Sequence, residues 1–422
     1  MATDGYGANL SGGDIYTSSD GGVTWTDQTA AGARYWAGIA MSSDGMNLAV
    51  TVSGHDGNNT NGGDIFTSSD GGVTWIDRTA AGSRDWSFIA LSADGTHLAA
   101  IDNGGGAGGD IFTSSDGGVT WTDQTAAGAR YWNGIAMSSD GMKLAAVDLG
   151  GGDIYTSSDG GVTWTDQTAA GARYWNGIAM SSDGMKLAAV DYFGASYSGG
   201  DIYTSSDGGV TWTDQTAAGA RMWGSIVMSS DGMKLATLSG DIYTSSDGGV
   251  TWTDQTAAGA RSWGGIAISS DGKIVVADSN QGDIWTGTLP SVLTAPGAPA
   301  LADQTDSSVT LSNDANGNES SVTYAIQVST TLPTDSSWDG KYVDASGDPS
   351  ATAVWQTDAA WDGTTVTGLT HGTEYTFRAE AKDTGGTISD WSPTASVTTT
   401  ETAVRKIIRL LGNVRLTGVR LY

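Results

Sequence analysis

Short runs of alternating apolar and polar residues, separated by Gly-rich turns, recur along residues 1–290. One unit reads Trp132–Met137, Lys143–Asp148, Asp153–Ser157 and Val162–Asp166. The runs hold β-branched and aromatic residues between Asp-Gly and Gly-Gly turns, which is typical of antiparallel hairpins. No segment keeps an apolar period of 3.6 residues, so we expect few helices. The pattern predicts an all-β chain in which each repeat forms a four-stranded sheet.

The octapeptide Ser-Ser-Asp-Gly-Gly-Val-Thr-Trp occurs six times, at spacings of 40 to 50 residues. That period is typical of the four-stranded blade of a β-propeller. Length varies mainly in the Gly-rich segment before each Gly-Asp-Ile, which we expect to be a loop at one face. The octapeptide aspartates are Asp20, Asp70, Asp116, Asp159, Asp207 and Asp247. Its tryptophans are Trp25, Trp75, Trp121, Trp164, Trp212 and Trp252.

The octapeptide resembles the Asp box, or BNR repeat, of sialidases, sortilin-type receptors and photosystem-assembly propellers. The resemblance implies a turn between the third and fourth strands of each blade, on the outer rim. An Asp in such a turn can accept backbone N–H groups, and Gly supplies the positive φ angles. We therefore expect the box Asp and Trp to be structural, and not catalytic or calcium-binding.

The blade number follows from the terminal repeats. Seven Gly-Asp-Ile strands, six boxes and six Trp-initiated first strands are present. Met1–Asp4 aligns with Ala145–Asp148, and the last unit stops after Gly282–Thr286. Five complete blades between two incomplete ones give seven, which we favour. If residues 263–278 share a blade with the first hairpin, the count is six and residues 282–288 are spare.

A second domain is predicted after a change of composition at Pro290. Residues 291–296 form a linker, and residues 297–400 lose the repeat but keep alternating, strand-like runs. The segment Leu369–Phe377, followed by Asp390-Trp-Ser-Pro, resembles the fibronectin type III pattern. The resemblance implies a β-sandwich, usually a spacer, with Tyr375 as its tyrosine-corner residue. The Trp expected on its second strand is missing, and Leu311 or a neighbour stands there.

The C-terminal tail, residues 401–422, is basic on an otherwise acidic chain. Val, Leu and Ile alternate with Arg there, so a strand is favoured over a helix. An alternating, exposed strand can pair with the edge of another sheet. One hypothesis is an assembly strand that docks on an acidic partner; the other is a strand on its own molecule, or a frayed end. The assembly residues would be Arg409, Arg415, Arg420 and Tyr422.

The net charge of −28 argues against nucleic acid and anionic lipid as partners. No run reaches the roughly 18–20 apolar residues of a membrane span, and no signal peptide is visible. Cys is absent, and His55, His97 and His371 lack metal-ligand spacing. We expect neither a metal nor another cofactor.

One arginine per repeat stands two residues before the Trp that opens the first strand. First strands line the channel of a propeller, so these arginines are expected to ring one of its mouths. Arg beside Trp can hold a sugar or an anion; alternatively, each Arg pairs with a neighbouring Asp or carbonyl. The arginines are Arg34, Arg84, Arg130, Arg173, Arg221 and Arg261. The tryptophans are Trp36, Trp86, Trp132, Trp175, Trp223 and Trp263.

The resemblance to sialidases raises the question of catalysis. That family uses an arginine triad, a Tyr nucleophile paired with Glu, and an acidic proton donor, which differ from blade to blade. Here the blades are near copies, residues 1–290 contain no Glu, and the Arg-Ile-Pro signature is absent. We therefore expect no enzymatic activity.

The favoured function is a structural or adhesion protein outside the cell or on its surface. Its partner would be itself, as an oligomer or filament, or a surface protein bound through the tail. The alternative is a multivalent glycan-binding propeller, and a sialidase-like glycoside hydrolase is the least favoured.

Overall fold

The computed structural model describes residues 2–3, 12–54, 62–104, 108–194, 199–279, 283–289, 293–316, 318, 322–330, 335–383, 386 and 388–400. The chain forms two compact units, Met1–Leu289 and Pro290–Tyr422. The only α-helix of the described residues is α1 (Asp358–Trp361), of four residues, as the missing helical period predicts. No described helix has the length and apolarity needed to cross a membrane.

The described part of the first unit holds seven antiparallel sheets, five of four strands and two of three. In each sheet the strands neighbour one another in chain order. They are β1–β3 (Ala2–Thr3, Ile15–Thr17, Thr26–Asp27), β4–β7 (Trp36–Met41, Leu48–Val52, Ile65–Ser68, Ile76–Asp77), β8–β11 (Trp86–Leu91, Leu98–Asp102, Ile111–Ser114, Thr122–Asp123), β12–β15 (Trp132–Met137, Leu144–Asp148, Ile154–Ser157, Thr165–Asp166), β16–β19 (Trp175–Met180, Leu187–Asp191, Ile202–Ser205, Thr213–Asp214), β20–β23 (Ile226–Met228, Leu235–Ser239, Asp241–Ser245, Thr253–Asp254) and β24–β26 (Trp263–Ile268, Ile274–Ser279, Ile284–Thr288).

Burial changes across each sheet in a way that fixes its orientation. The second strands are buried at every position in β5, β9, β13 and β17. A strand buried on both faces needs a neighbouring sheet on either side, and the continuous apolar runs supply the surface for it. The two-residue fourth strands are exposed. First strands of successive sheets contact one another. The first strand is therefore innermost and the fourth lies at the rim.

The seven sheets close into a ring. The second box glycine of a sheet lies against a third-strand Thr of the sheet before it, as Gly209 lies against Thr156. Gly22 in the first sheet lies against Thr286 of the last sheet in the same way, where an added Cβ would come within 3.0 Å of Cγ2. The last sheet therefore precedes the first around the ring. The unit is a β-propeller, with the seven sheets that the sequence favours.

A chain of backbone hydrogen bonds joins the turns between first and second strands. The N–H of each turn donates to a carbonyl of the next turn, and we name this series the turn ladder. Its bonds are Ser43 to Ala93 (3.0 Å), Ala93 to Ser139 (2.9 Å), Ser139 to Ser182 (2.9 Å), Ser182 to Ser230 (2.9 Å) and Ser230 to Ser270 (2.8 Å). Sheets that pack by side chains are thus also tied by main chain at one mouth of the channel.

Each octapeptide forms a closed turn between the third and fourth strands, as the Asp-box resemblance implies. In one copy, Asp116 accepts the Thr120 N–H at 2.8 Å, the Thr120 hydroxyl at 2.6 Å and the Ser114 hydroxyl at 2.8 Å. The Trp121 indole N–H donates to the Gly118 carbonyl at 3.0 Å. Gly118 has a φ of 84°, which only glycine adopts without strain. The same bonds recur in all six copies.

The described part of the second unit is a pair of antiparallel sheets. One sheet has the order β27-β28-β33, and the other has the order β31-β30-β29-β34-β35 with β32 beside β29. The elements are β27 (Ala300–Ala302), β28 (Val309–Ser312), β29 (Thr323–Thr330), β30 (Tyr342–Val343), β31 (Pro349–Ser350), β32 (Gln356–Thr357), α1 (Asp358–Trp361), β33 (Thr364–Val366), β34 (Glu374–Lys382) and β35 (Ala395–Thr398).

The core of this second unit lies between its two sheets. The Tyr375 hydroxyl accepts the Thr370 N–H at 2.7 Å, which is the bond expected of a tyrosine corner. Leu311 is buried on β28, and Trp338 and Trp361 fill the core. These two tryptophans escaped the sequence analysis because they lie outside the strands that it predicted. Membership of the fibronectin type III family stays a prediction.

Replacing the box aspartate tests the turn. Asp116→Ala should lower the free energy of unfolding by about 1 kcal/mol near pH 6, because three hydrogen bonds to the carboxylate are lost on a solvated rim. Thr120 and Ser114 lower the pKa of Asp116 from 3.8 to about 2, with the Thr120 hydroxyl contributing most. A depressed pKa stabilises the folded state above pH 3.8, and this contribution disappears as the pH falls toward 2. The difference between variant and parent should therefore vanish over that interval.

Urea unfolding at several pH values measures this difference. Asp123→Ala is the matched control in the same sheet, since Asp123 is exposed and makes no side-chain hydrogen bond among the described residues. Its effect should stay below about 0.5 kcal/mol. A loss for Asp116→Ala that persists unchanged at pH 2 would contradict the assigned role of the carboxylate.

Candidate functional site

The repeated arginines lie where one sheet passes to the next. A 3-10 turn, such as Thr168–Ala170, follows each fourth strand and leads to the arginine. In four repeats the Arg forms an isolated antiparallel bridge with the glycine that precedes the third strand of the previous sheet, as in Gly109↔Arg130. Backbone pairing therefore fixes the arginine at the entrance of its first strand, next to the variable loops.

Each guanidinium group stacks on an aromatic ring of the third strand in its own sheet. In addition, each Nε–H donates to the last alanine carbonyl of the preceding 3-10 turn, for example Arg173 to Ala170 at 3.2 Å. The stacked pairs, from Cζ to ring centroid, are Arg34–Phe66 (4.4 Å), Arg84–Phe112 (4.2 Å), Arg130–Tyr155 (4.2 Å), Arg173–Tyr203 (4.5 Å), Arg221–Tyr243 (4.6 Å) and Arg261–Trp285 (4.2 Å).

Three of the arginines also meet a carboxylate at the end of the second strand. The pairs are Arg84–Asp102 at 3.6 Å, Arg130–Asp148 at 4.0 Å and Arg173–Asp191 at 3.7 Å. The carboxylates are buried, whereas the arginine side chains are 27–36% exposed. One edge of each guanidinium therefore faces solvent, and the rest of the group is bound by its own blade.

The tryptophans predicted to open the first strands lie inside the interfaces between sheets; five of them do open a strand, whereas Trp223 lies three residues before β20. Five of them are at most 4% exposed, and Trp263 is half-buried. Each packs edge-on against the third-strand ring, as Trp175 does against Tyr203 at 5.3 Å between centroids. A ligand at this position would meet the exposed guanidinium edges and not the five buried indole faces. Ligand binding by the six arginines and six tryptophans stays a prediction.

The sequence did not predict the acidic cluster that lies beside five of the six arginines. In one sheet the Tyr155 hydroxyl donates to the Asp166 carboxylate at 2.9 Å. Burial, followed by the charge of Asp166, raises the pKa of Asp153, and burial raises the pKa of Tyr155 to about 12. The repeated Gly-Asp-Ile-Tyr and Trp-Thr-Asp strings contain the residues of this cluster, but only the pairing register of the third and fourth strands shows that they lie together. Among the described residues, no three carboxylates or imidazoles are placed to hold a metal ion.

One exposed and three half-buried aromatic rings lie close to two of the arginines. Tyr131, directly after Arg130, is 51% exposed. In the next sheet Tyr174 lies 5.5 Å from Phe193, and Tyr192 lies 4.6 Å from the same ring. These rings are on the side of the variable loops. They offer the kind of surface on which saccharides stack.

The predicted assembly residues of the tail, Arg409, Arg415, Arg420 and Tyr422, lie outside the described residues. Their role in assembly stays a prediction.

Comparisons with known proteins support the fold. No family model matches the chain, and no curated protein matches its sequence. Among solved structures, YCF48 bound to D1 peptide is similar with a TM-score of 0.50 and 15% identity, over 66% of this chain and 87% of that one. The GH74 xyloglucanase of Xanthomonas campestris has a TM-score of 0.51 and 13% identity, over 88% of this chain and 75% of that one. At such identities the likeness shows a β-propeller and no activity.

Removing one arginine tests whether the set is structural. Arg173→Ala should lower the free energy of unfolding by about 2 kcal/mol, because it leaves the buried Asp191 carboxylate without its charge partner. Arg261→Ala is the control, because Arg261 stacks on Trp285 but has no carboxylate partner in the described part of the chain. It should cost about 1 kcal/mol.

Adding Asp191→Asn to Arg173→Ala should restore part of the loss, since the amide keeps the oxygen that accepts the Phe193 and Gly194 N–H groups. Urea unfolding measures all four proteins. Equal losses for Arg173→Ala and Arg261→Ala, with no recovery in the double variant, would contradict the ion pair.

Proposed function

We propose that this chain is a non-enzymatic structural or adhesion protein outside the cell or on its surface. The single observation that carries the proposal is that the repeated charged side chains bind partners within the propeller itself. Each box Asp is held by its own turn, and each repeated Arg is held by a third-strand ring and by an alanine carbonyl. The same groups bind the same internal partners in six repeats, which supports a structural scaffold. A single catalytic centre would instead need residues that differ from blade to blade.

Stiffness supports the same function. The turn ladder, the box turns and the buried tryptophans repeat at every interface between the complete sheets. A ring with three kinds of repeated constraint keeps its geometry under load. The second unit, a two-sheet sandwich, suits the role of a spacer, and the basic tail suits attachment.

The structural neighbours show that one fold carries different functions. One of them is described as bound to a peptide and another as a xyloglucanase. Function therefore has to be argued from the groups on the propeller and not from the fold. The peptide complex is consistent with a propeller that takes part in protein assembly.

Removing the tail tests the assembly role. We expect the full chain to form oligomers and a version ending at Thr400 to be monomeric, because the tail carries five basic residues on a strongly acidic protein. Size-exclusion chromatography with light scattering measures the masses. Monomers in both cases would remove the assembly role.

A multivalent lectin is the second candidate, favoured by the exposed Tyr131 beside the solvent-facing edge of Arg130. Weak sites on several blades would gain strength by avidity. A glycan array probed with the full chain should give no signal if the protein is purely structural. A saccharide signal that Tyr131→Ala reduces, while Tyr35→Ala in another repeat reduces it less, would favour the lectin.

A further inference from the structure

The last propeller sheet has an outer edge that no described strand covers. Its order is β24-β25-β26, whereas in the five four-stranded sheets a fourth strand pairs with the third. On its inner side β26 is bonded to β25, with Leu289 N–H donating to Lys273 and Ser279 N–H to Asp283. Because pairing alternates along a strand, the backbone groups of Ile284, Thr286 and Thr288 point to the open side. The edge offers main-chain donors and acceptors for one more strand.

A cleft lies beside this edge, where the other sheets hold a box turn. Its volume is about 350 Å³, and Thr244, Gln255, Ala258 and Trp285 are among the residues that line it. Elsewhere the corresponding Thr and Gln lie against a box glycine, as Thr204 and Gln215 lie against Gly249. The cleft therefore has the position of a missing box turn, and its walls are those that receive one.

Burial near the cleft is lower than at the equivalent positions. The alanines that end the other five 3-10 turns are 3–6% exposed, whereas Ala258 is only half-buried. Trp263 is half-buried, while its five counterparts are at most 4% exposed. The Trp285 indole N–H is buried without an acceptor among the described residues, although the Tyr243 hydroxyl at that position in the previous sheet donates to Asp254 on the fourth strand. Apolar surface and a donor both lack the partner that a fourth strand gives.

We propose that this edge receives the basic tail of a second copy as a fourth strand, a contact that specifies the assembly role proposed above and rests on it. Residues 1–289 carry 11 basic and 32 acidic residues, a net charge of −21, so two propellers repel one another. Residues 401–422 carry five basic residues and one acidic residue. The segment Val414–Tyr422 has five apolar or aromatic residues and two arginines among its nine residues, a composition that suits pairing with the edge of a sheet.

The tail supplies what the edge lacks. Strand pairing satisfies the outward backbone groups, and an apolar or aromatic side chain enters the cleft as the box Trp enters elsewhere. The arginines meet an acidic rim that includes the exposed Asp283. The acceptor edge and the donor strand are different surfaces of one chain, so the contact is head-to-tail and every bound copy offers a new edge.

The test combines assembly of the full chain with binding of a peptide. Light scattering is applied to the full chain, and a labelled peptide of residues 402–422 is titrated against the version ending at Thr400 by fluorescence anisotropy. Thr286→Pro removes one outward N–H without breaking a bond to β25, and it should weaken both readouts roughly tenfold. Thr286→Val keeps the N–H and the shape, and its affinity should stay within about twofold of the parent. Binding should also weaken as NaCl is raised, because the tail is basic.

A second variant tests the same site without introducing a proline into β26. Ala258→Leu fills the cleft from a different element and should also weaken peptide binding, while thermal unfolding of the variant confirms that it folds. If tail-dependent assembly is unchanged in Thr286→Pro and Ala258→Leu, the β26 edge is not the binding site, but the proposed assembly function still holds. If the full chain is monomeric and the peptide does not bind, both the binding edge and the proposed assembly role are wrong. Peptide that binds the version ending at Thr400, together with a full chain that stays monomeric, would overturn the second copy in favour of the chain's own tail.

Discussion

The propeller depends on one buried tryptophan in each interface between complete sheets. A four-stranded sheet built from these repeats has apolar side chains on both faces and cannot cover either by itself. The first-strand Trp packs against the previous sheet and against a third-strand ring of its own, for instance Trp175 between Ile154 and Tyr203. Burying a Trp of roughly 150–250 Å² corresponds to an upper bound of about 4–6 kcal/mol before entropy is counted. No other single side chain of the repeat offers as much.

The arginine stack depends on this tryptophan. The Trp packs on the edge of the third-strand ring, and the arginine two residues earlier lies over the face of the same ring. One aromatic side chain therefore makes both an apolar contact and a cation–π contact. In the sheets with Tyr at that position, the phenol adds a hydrogen bond to the fourth-strand Asp. In these sheets one ring therefore links the first, third and fourth strands.

Local signals made most of the fold predictable. Asp-Gly and Gly-Gly turns marked the hairpins, and the box octapeptide marked the third turn of each sheet, because these features need only a few neighbouring residues. The partner of each arginine was not predictable, since it depends on the register between strands that are more than 20 residues apart, as for Arg173 and Tyr203. The turn ladder was hidden for another reason. It uses only main-chain groups, which leave no mark in the sequence beyond a small residue at the turn.

Because the turn ladder is made of main-chain bonds and the box turn is internal to each sheet, the contact surface of a repeat hardly depends on which repeat stands next to it. A recombination event that duplicates or deletes one repeat at the DNA level joins two surfaces that already fit. The remaining constraint is the angle between successive sheets, which sets how many of them complete the circle. A gain or loss of repeats therefore leaves the interfaces between sheets intact, and only closure of the ring depends on that angle.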